Sequence, residues 1–192
     1  INVKRMLAYS SISQMGYITM AIGLGTTLGI TSGMYHILNN VLIKGLLFMG
    51  IGCAMYVTRK ENLNELSVKN TPLLICVGIG VLSMAGIPLL NGFASKWLIF
   101  MATWEINPIL TILALITSAI TLAYGLKIFS SMFLGSKAIE IKVPKIMMFP
   151  VILLTIICIV IGIFPQVGLS FIEPAVDALF SQSQYISAVL GG

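Results

Sequence analysis

Apolar residues fill long blocks of this chain, and polar residues gather in the short stretches between them. A helix that spans a bilayer needs about 20 mostly apolar residues. Five blocks reach that length, at about 6–27, 31–57, 72–104, 107–134 and 147–165. The third is too long for one straight crossing, since 33 residues at ~1.5 Å each extend to roughly 50 Å. Gly86, Pro88 and Gly92 interrupt it. Pro88 lacks a backbone N–H and its ring crowds the preceding turn, so carbonyls near Met84 and Ala85 lose their helical partners. In lipid such groups must be satisfied by protein or by water. The pattern predicts an all-α integral membrane protein, one membrane domain over 1–192, with five spans and a break in the third near Gly86–Gly92. After the last span, Val167, Phe171, Ile172, Val176, Leu179 and Phe180 recur at helical spacing, with Glu173 and Asp177 on another face. That predicts a short helix lying on the membrane surface.

Composition agrees with this architecture. The chain is 58% hydrophobic and 9% charged, with mean hydropathy +1.03, whereas a soluble domain carries about 25% charged residues. A net charge of +5 reads as membrane topology rather than nucleic-acid binding, because the cations are scattered and form no basic block. Lys4, Arg5, Arg59, Lys60, Lys69, Lys137, Lys142 and Lys145 all fall on one side if the five spans alternate. The other side has no Lys or Arg, so residue 1 is expected in the cytoplasm and the C-terminus outside. The chain begins Ile-Asn-Val-Lys-Arg, without an initiator Met or a signal-peptide pattern, and reads as part of a longer polypeptide. Cys53, Cys76 and Cys158 lie far apart inside apolar runs and read as buried structural thiols.

Three cations remain inside the predicted spans: Lys44, Lys96 and Lys127. An ammonium at bilayer depth costs roughly 2.5–3.5 kcal/mol on insertion scales, so each needs a partner or a wet cavity. Lys44, Asn40 and His36 are spaced four apart and share one helix face. Lysine and histidine both exchange protons when water reaches them, so the stripe reads as an ion relay, with a static pair to a neighbouring helix as the alternative. Lys96 follows the helix break, and broken helix, freed carbonyls and buried charge together describe an ion-handling site. Lys127 is near enough to a basic loop for its stem to reach the headgroups, which leaves snorkelling beside function. Tyr9 and Gln14, in the polar opening of the first span, either bond between helices or hold a water chain. Glu105 is either an exit group or a solvated loop acid. No metal-ligand spacing, Walker loop or hydrolytic arrangement is present, so this chain is expected to carry no cofactor.

Lys4 to Tyr17 (Lys-Arg-Met-Leu-Ala-Tyr-Ser-Ser-Ile-Ser-Gln-Met-Gly-Tyr), His36 and Lys44 before Gly-Leu-Leu-Phe, and Gly-Ile-Pro-Leu-Leu-Asn-Gly-Phe-Ala-Ser-Lys-Trp from Gly86 occur in this order. Together they resemble the antiporter-like subunits, the group formed by the proton-pumping membrane subunits of respiratory complex I, the Mrp-type antiporter subunits and the membrane arm of energy-converting hydrogenases. The resemblance implies the last five of about fourteen helices in a larger subunit. It also implies that Lys44 is the central relay lysine, His36 the histidine before it, and Lys96 the ionisable residue of the broken helix. Asn40 departs from members with a second histidine there. Lys96 followed by Trp97 is more similar to the hydrogenase and Mrp subunits than to the glutamate-bearing complex I subunit.

The function so implied is translocation of protons, or of sodium, by a non-redox subunit of a membrane-bound oxidoreductase in a prokaryotic plasma membrane, with an energy-converting hydrogenase as the preferred setting. Its partners would be lipid, other membrane subunits and a peripheral redox module holding iron–sulfur clusters and a redox metal centre. A stand-alone Mrp-type exchanger and a structural membrane anchor are the two alternatives.

Overall fold

The computed structural model describes residues 3–62, 65–135 and 138–181. The order is α1 (Val3–Gly23), α2 (Thr27–Thr58), β1 (Val68–Lys69), α3 (Thr71–Ala85), α4 (Asn91–Ile106), α5 (Pro108–Phe133), β2 (Ile139–Glu140), α6 (Lys145–Ile163), α7 (Pro165–Leu169) and α8 (Glu173–Phe180). Helix α2 is the central column. It packs against α1, α3, α4 and α6 and, near its N-terminal end, against α7 and α8, while α5 closes the side of α3 and α4.

Local chemistry sets the element ends. Thr26 caps α2 by accepting from Gly29 N at 3.0 Å, and Asn70 caps α3 by accepting from Leu73 N at 3.0 Å. Asn107 ends α4 and starts α5 at once: its N–H donates to Thr103 O and its side chain accepts from Ile109 N, ahead of Pro108. The break in the third apolar block lies where the sequence places it. Gly86 ends α3 with φ +87°, a left-handed conformation that glycine adopts without a Cβ penalty. Leu89 is also left-handed, at φ +72°, a strained state for a branched side chain. Gly92 then lets α4 fold back onto α3, since a Cβ there would overlap the Ser83 carbonyl oxygen.

Among the described residues, α2, α5 and α6 are each long and apolar enough to cross a membrane. The expectation of five such spans is thus coarsened by the structure. Helix α1 has the length, but its buried face carries Ser10 and Gln14 as well as Tyr17, which lowers its hydropathy. Helices α3 and α4 have 15 and 16 residues and at ~1.5 Å per residue each falls short of a ~30 Å core.

The basic segments gather at one end of the bundle. Lys4 pairs with Glu61 at 2.6 Å and Val3 N donates to Glu61 O, joining the start of α1 to the loop after α2. That loop pairs in parallel with the one before α6, Val68 with Ile139 and Lys69 with Glu140, and Asn70 Nδ2 donates to Ile141 O. This two-residue ladder departs from the purely helical expectation. Lys137 lies outside the described residues. At the opposite end the tail forms two short helices rather than one. Ile172 and Val176 turn inward onto Tyr35, while Phe171 and Leu179 are exposed.

Candidate functional site

Lys44, His36 and Lys96, all singled out in the sequence, are held inside the bundle by hydrogen bonds. Lys44, on α2, donates to Ser10 Oγ and, at 3.3 Å, to Leu7 O of α1, and it lies 3.7 Å from Met84 Sδ. Two turns along the same helix, His36 places Nε2 3.0 Å from Gln14 Oε1 of α1 and Nδ1 2.8 Å from Ser95 Oγ of α4. Lys96 is 1% exposed, and its ammonium donates to Met84 O at 2.9 Å, Ala85 O at 3.2 Å and Ser118 Oγ of α5 at 3.1 Å. No carboxylate contacts Lys44 or Lys96 among the described residues. Among the described residues, hydrogen bonds rather than a static ion pair hold both charges.

Lys96 sits where it does because the break and the charge need each other. Carbonyls at a helix C-terminus lack intrahelical partners and carry about half a negative charge between them. The Lys96 stem reaches back from the second turn of α4 and satisfies two of those carbonyls with one cation. Ser118 completes the cage, donating to Ala85 O at 2.8 Å. The Tyr17 ring lies below the ammonium, 5.0 Å from Nζ to its centroid, a cation–π contact worth up to ~2 kcal/mol when desolvated. Gly86 belongs to the same cage, since its missing Cβ would sit 3.0 Å from Lys96 Cδ.

His36 is the junction. Its two ring nitrogens connect α1 and α4, and the ring lies within electrostatic reach of Lys96 and 5.7 Å from the Tyr17 ring. Gln14 and Ser10 are one turn apart on α1, and Tyr124 of α5 lines a cleft with Ser10 and places its hydroxyl 3.9 Å from Met84 Sδ. Hydrogen bonds thus join Lys44 to Ser10, Gln14 to His36 and His36 to Ser95, and Gln14 follows Ser10 by one helical turn. Met84 links the two lysines a second way, with its sulfur toward Lys44 and its carbonyl on Lys96. Two clefts between α1 and α5 open toward this interior. One of about 250 Å³ is lined by Met6, Tyr9, Ser10 and Tyr124, and one of about 220 Å³ includes Tyr17, Ala114 and Thr117.

The structure brings together Lys44, His36, Lys96 and Gln14. Asn40 is buried at 6% exposure but takes no part in the hydrogen bonds just described. Its neighbour Asn39 instead accepts from Asn91 Nδ2 at 3.2 Å. Tyr9 is 64% exposed on the outer face of α1, Lys127 is exposed on α5, and Glu105 is exposed at the end of α4. Sequence reasoning missed Ser95, Ser118 and Tyr124. Ser95 carried a signal, lying next to Lys96 and one turn after Asn91, but nothing in the spacing marked Ser118 or Tyr124.

Fold and interior define a membrane-embedded helical bundle whose buried ionisable groups are hydrogen-bonded to hydroxyls, an amide and backbone carbonyls. The chain belongs to the NADH:quinone oxidoreductase/Mrp antiporter transmembrane family, whose model matches residues 1–121 and so includes Lys44, His36, Lys96 and their hydrogen-bond partners. Formate hydrogenlyase subunit 3 of Escherichia coli is 29% identical over 84% of this chain and 32% of its own length. A Na(+)/H(+) antiporter subunit of Alkalihalophilus pseudofirmus is 31% identical over 97% of this chain and 40% of its own. A chain in the solved structure of an archaeal membrane-bound sulfane sulfur reductase superposes with TM-score 0.86 at 30% identity, covering 98% of this chain and 39% of that one. The chain thus spans between about a third and two fifths of the length of these relatives.

Proposed function

We propose that this chain forms part of an ion-conducting antiporter-like subunit, in which protons pass between Lys44 and Lys96 by way of Ser10, Gln14, His36 and Ser95. The observation that carries this reading is His36, hydrogen-bonded on both ring nitrogens between the helices that serve the two lysines. An imidazole bonded on both sides can take a proton on one nitrogen and release it from the other. Charge repulsion drives the transfer. Like charges ~8 Å apart at an effective dielectric of ~20 repel by roughly 2 kcal/mol, enough to change which group holds the proton. Helices α1, α2, α5 and α6 and the joined pair α3–α4 make five crossings, with the basic end in the cytoplasm. The meeting of all three basic segments at one end supports that count.

The setting we infer is a redox-driven complex of the hydrogenase type, with iron–sulfur clusters and the redox metal centre in partner subunits and none in this chain. Similarity to a formate hydrogenlyase subunit and to a sulfane sulfur reductase supports it. A second reading, a sodium/proton exchanger without electron transfer, is favoured by the match of the Alkalihalophilus antiporter protein across 97% of the chain. One experiment tests the relay and separates the settings: the intact complex in sealed vesicles, wild type against Lys96→Met, followed for electron-transfer turnover and ion uptake with and without sodium. Uptake is expected to fall in the variant. Turnover coupled to uptake identifies the redox setting, and sodium-dependent exchange without turnover identifies the antiporter. Unchanged uptake would replace the relay with a membrane anchor.

A further inference from the structure

The loop that breaks the third apolar block is held from two sides, and only one side belongs to the cage around Lys96. Ile87, Pro88, Leu89 and Leu90 make a tight turn in which Leu90 N donates to Ile87 O at 3.3 Å. Pro88 stands where a type II turn favours proline, and Leu89, left-handed at φ +72°, stands where such a turn favours glycine. The Leu89 side chain is 72% exposed, so its own burial does not hold the backbone in that state. On one flank, Gly86 N and Ile87 N donate to Leu82 O at 3.1 Å each and tie the turn to α3. On the other flank lies α6. Gly162, next to last in that helix, approaches so closely that a Cβ would sit 2.5 Å from Leu89 O, Leu90 Cα and Leu90 C.

A strained backbone state persists where its surroundings over-determine it, and such states gather at functional sites. Helix α6 supplies none of the hydrogen bonds described above for Lys44, His36 and Lys96. It is fixed along the bundle by Val151 and Cys158, both fully buried, and its far end rests on the turn. The turn leads straight into α4: Phe93 N donates to Leu90 O at 3.0 Å, and Ser95 and Lys96 follow within the next helical turn. A shift of Leu89 and Leu90 therefore moves the start of α4, and with it the Ser95 hydroxyl against His36 and the Lys96 ammonium against Met84 O. We propose that Gly162 is a positioning residue for ion transfer: it seats α6 on the strained turn and so fixes the height of α4 at which Ser95 meets His36 and Lys96 meets the end of α3. Only glycine fits, because the three atoms it meets are backbone and cannot swing aside as a side chain does. The effect on transfer rests on the relay reading given above, whereas the seat on the turn does not.

The test is a double-mutant cycle on the intact complex between Gly162→Ala and Leu89→Gly, with ion uptake measured per assembled complex in sealed vesicles. The added methyl group of Gly162→Ala pushes the turn toward α4, and a displacement of about 1 Å beside a transfer path costs roughly tenfold to a hundredfold in rate. In the Leu89→Gly background the turn is free at φ and gives way without carrying α4. There Gly162→Ala is expected to cost less than about twofold, the remainder being the coupling between the two sites. An equal loss in the two backgrounds, or no loss in an assembled Gly162→Ala complex, overturns the proposal, because a glycine that only packs helices would not depend on Leu89. If Gly162→Ala does not assemble, the cycle is read in subunit content, which Leu89→Gly is expected to restore. Content that stays lost in the double variant overturns the seat. Unchanged uptake in Lys96→Met would instead sink the relay reading, and the coupling of the two sites, read in thermal unfolding of the complex, would still decide the seat.

Discussion

Two lysines are buried in one bundle, and the backbone around them differs. Lys44 projects from the middle of α2, an unbroken helix of 32 residues, and is met mainly by a side chain, Ser10, with help from Leu7 O. That carbonyl already accepts from Ser10 and Ser11 at 2.7 and 3.2 Å. Lys96 projects from a helix interrupted by a loop, and two of its three acceptors are main-chain carbonyls freed by that interruption. Removing the Lys44 charge leaves its partners bonded elsewhere, but removing the Lys96 charge strips the Met84 carbonyl at the end of α3, while Ala85 O keeps Ser118. The charge at Lys96 is tied to the backbone as the charge at Lys44 is not.

The most severe way to break this contrast is to keep both lysines and spoil the fold-back that serves one. Gly92→Ala puts a Cβ into the Ser83 carbonyl, and backbone cannot shift as a flexible side chain does. The expected cost is at or above the upper end of the ~1–3 kcal/mol typical of overpacking, seen as loss of the subunit from the purified complex. Next comes Lys96→Met, which should abolish ion uptake and also lower stability by about 1–3 kcal/mol through the stranded Met84 carbonyl. Thermal unfolding of the complex measures the second effect. Lys44→Met is expected to abolish uptake equally while costing less than about 1 kcal/mol, because Ser10 and Leu7 stay bonded to each other. An equal loss of stability in the two variants would remove the distinction drawn here.

Smaller changes sharpen it. Ser118→Ala deletes one of three acceptors around Lys96 and should cost about 0.5–1.5 kcal/mol, with uptake reduced but present. Lys127→Gln is expected to leave uptake and unfolding temperature at wild-type values, since Lys127 is exposed on α5, away from the relay. A transport defect in that variant would extend the path to the outer face of α5.

What was legible in the sequence follows from periodicity and cost. Long apolar runs, the Gly86–Pro88–Gly92 interruption and cations far from either end have few physical solutions in lipid, so the helical class, the break and the candidacy of Lys44, His36 and Lys96 could be read directly. For Asn40, a four-residue spacing assigns a face without assigning a partner. The neighbouring Asn39 faces Asn91, and helix rotation decides between them. The start of α1 is likewise polar on several sides, and packing turned Ser10 and Gln14 inward and Tyr9 out.

The sequence by itself determined that this chain is built from membrane helices, where one of them must break, and which charges would be too costly to bury without a purpose. Local backbone chemistry and transfer energies are enough for that. The tertiary structure alone decided that Ser118 and Tyr17 complete the cage around Lys96, that His36 joins α1 to α4, and that Gly162 of α6 meets the turn at Leu89 and Leu90. Those facts depend on how helices distant in sequence rotate and approach one another, and small or neutral polar residues in an apolar run carry no local signal of the partner they will meet.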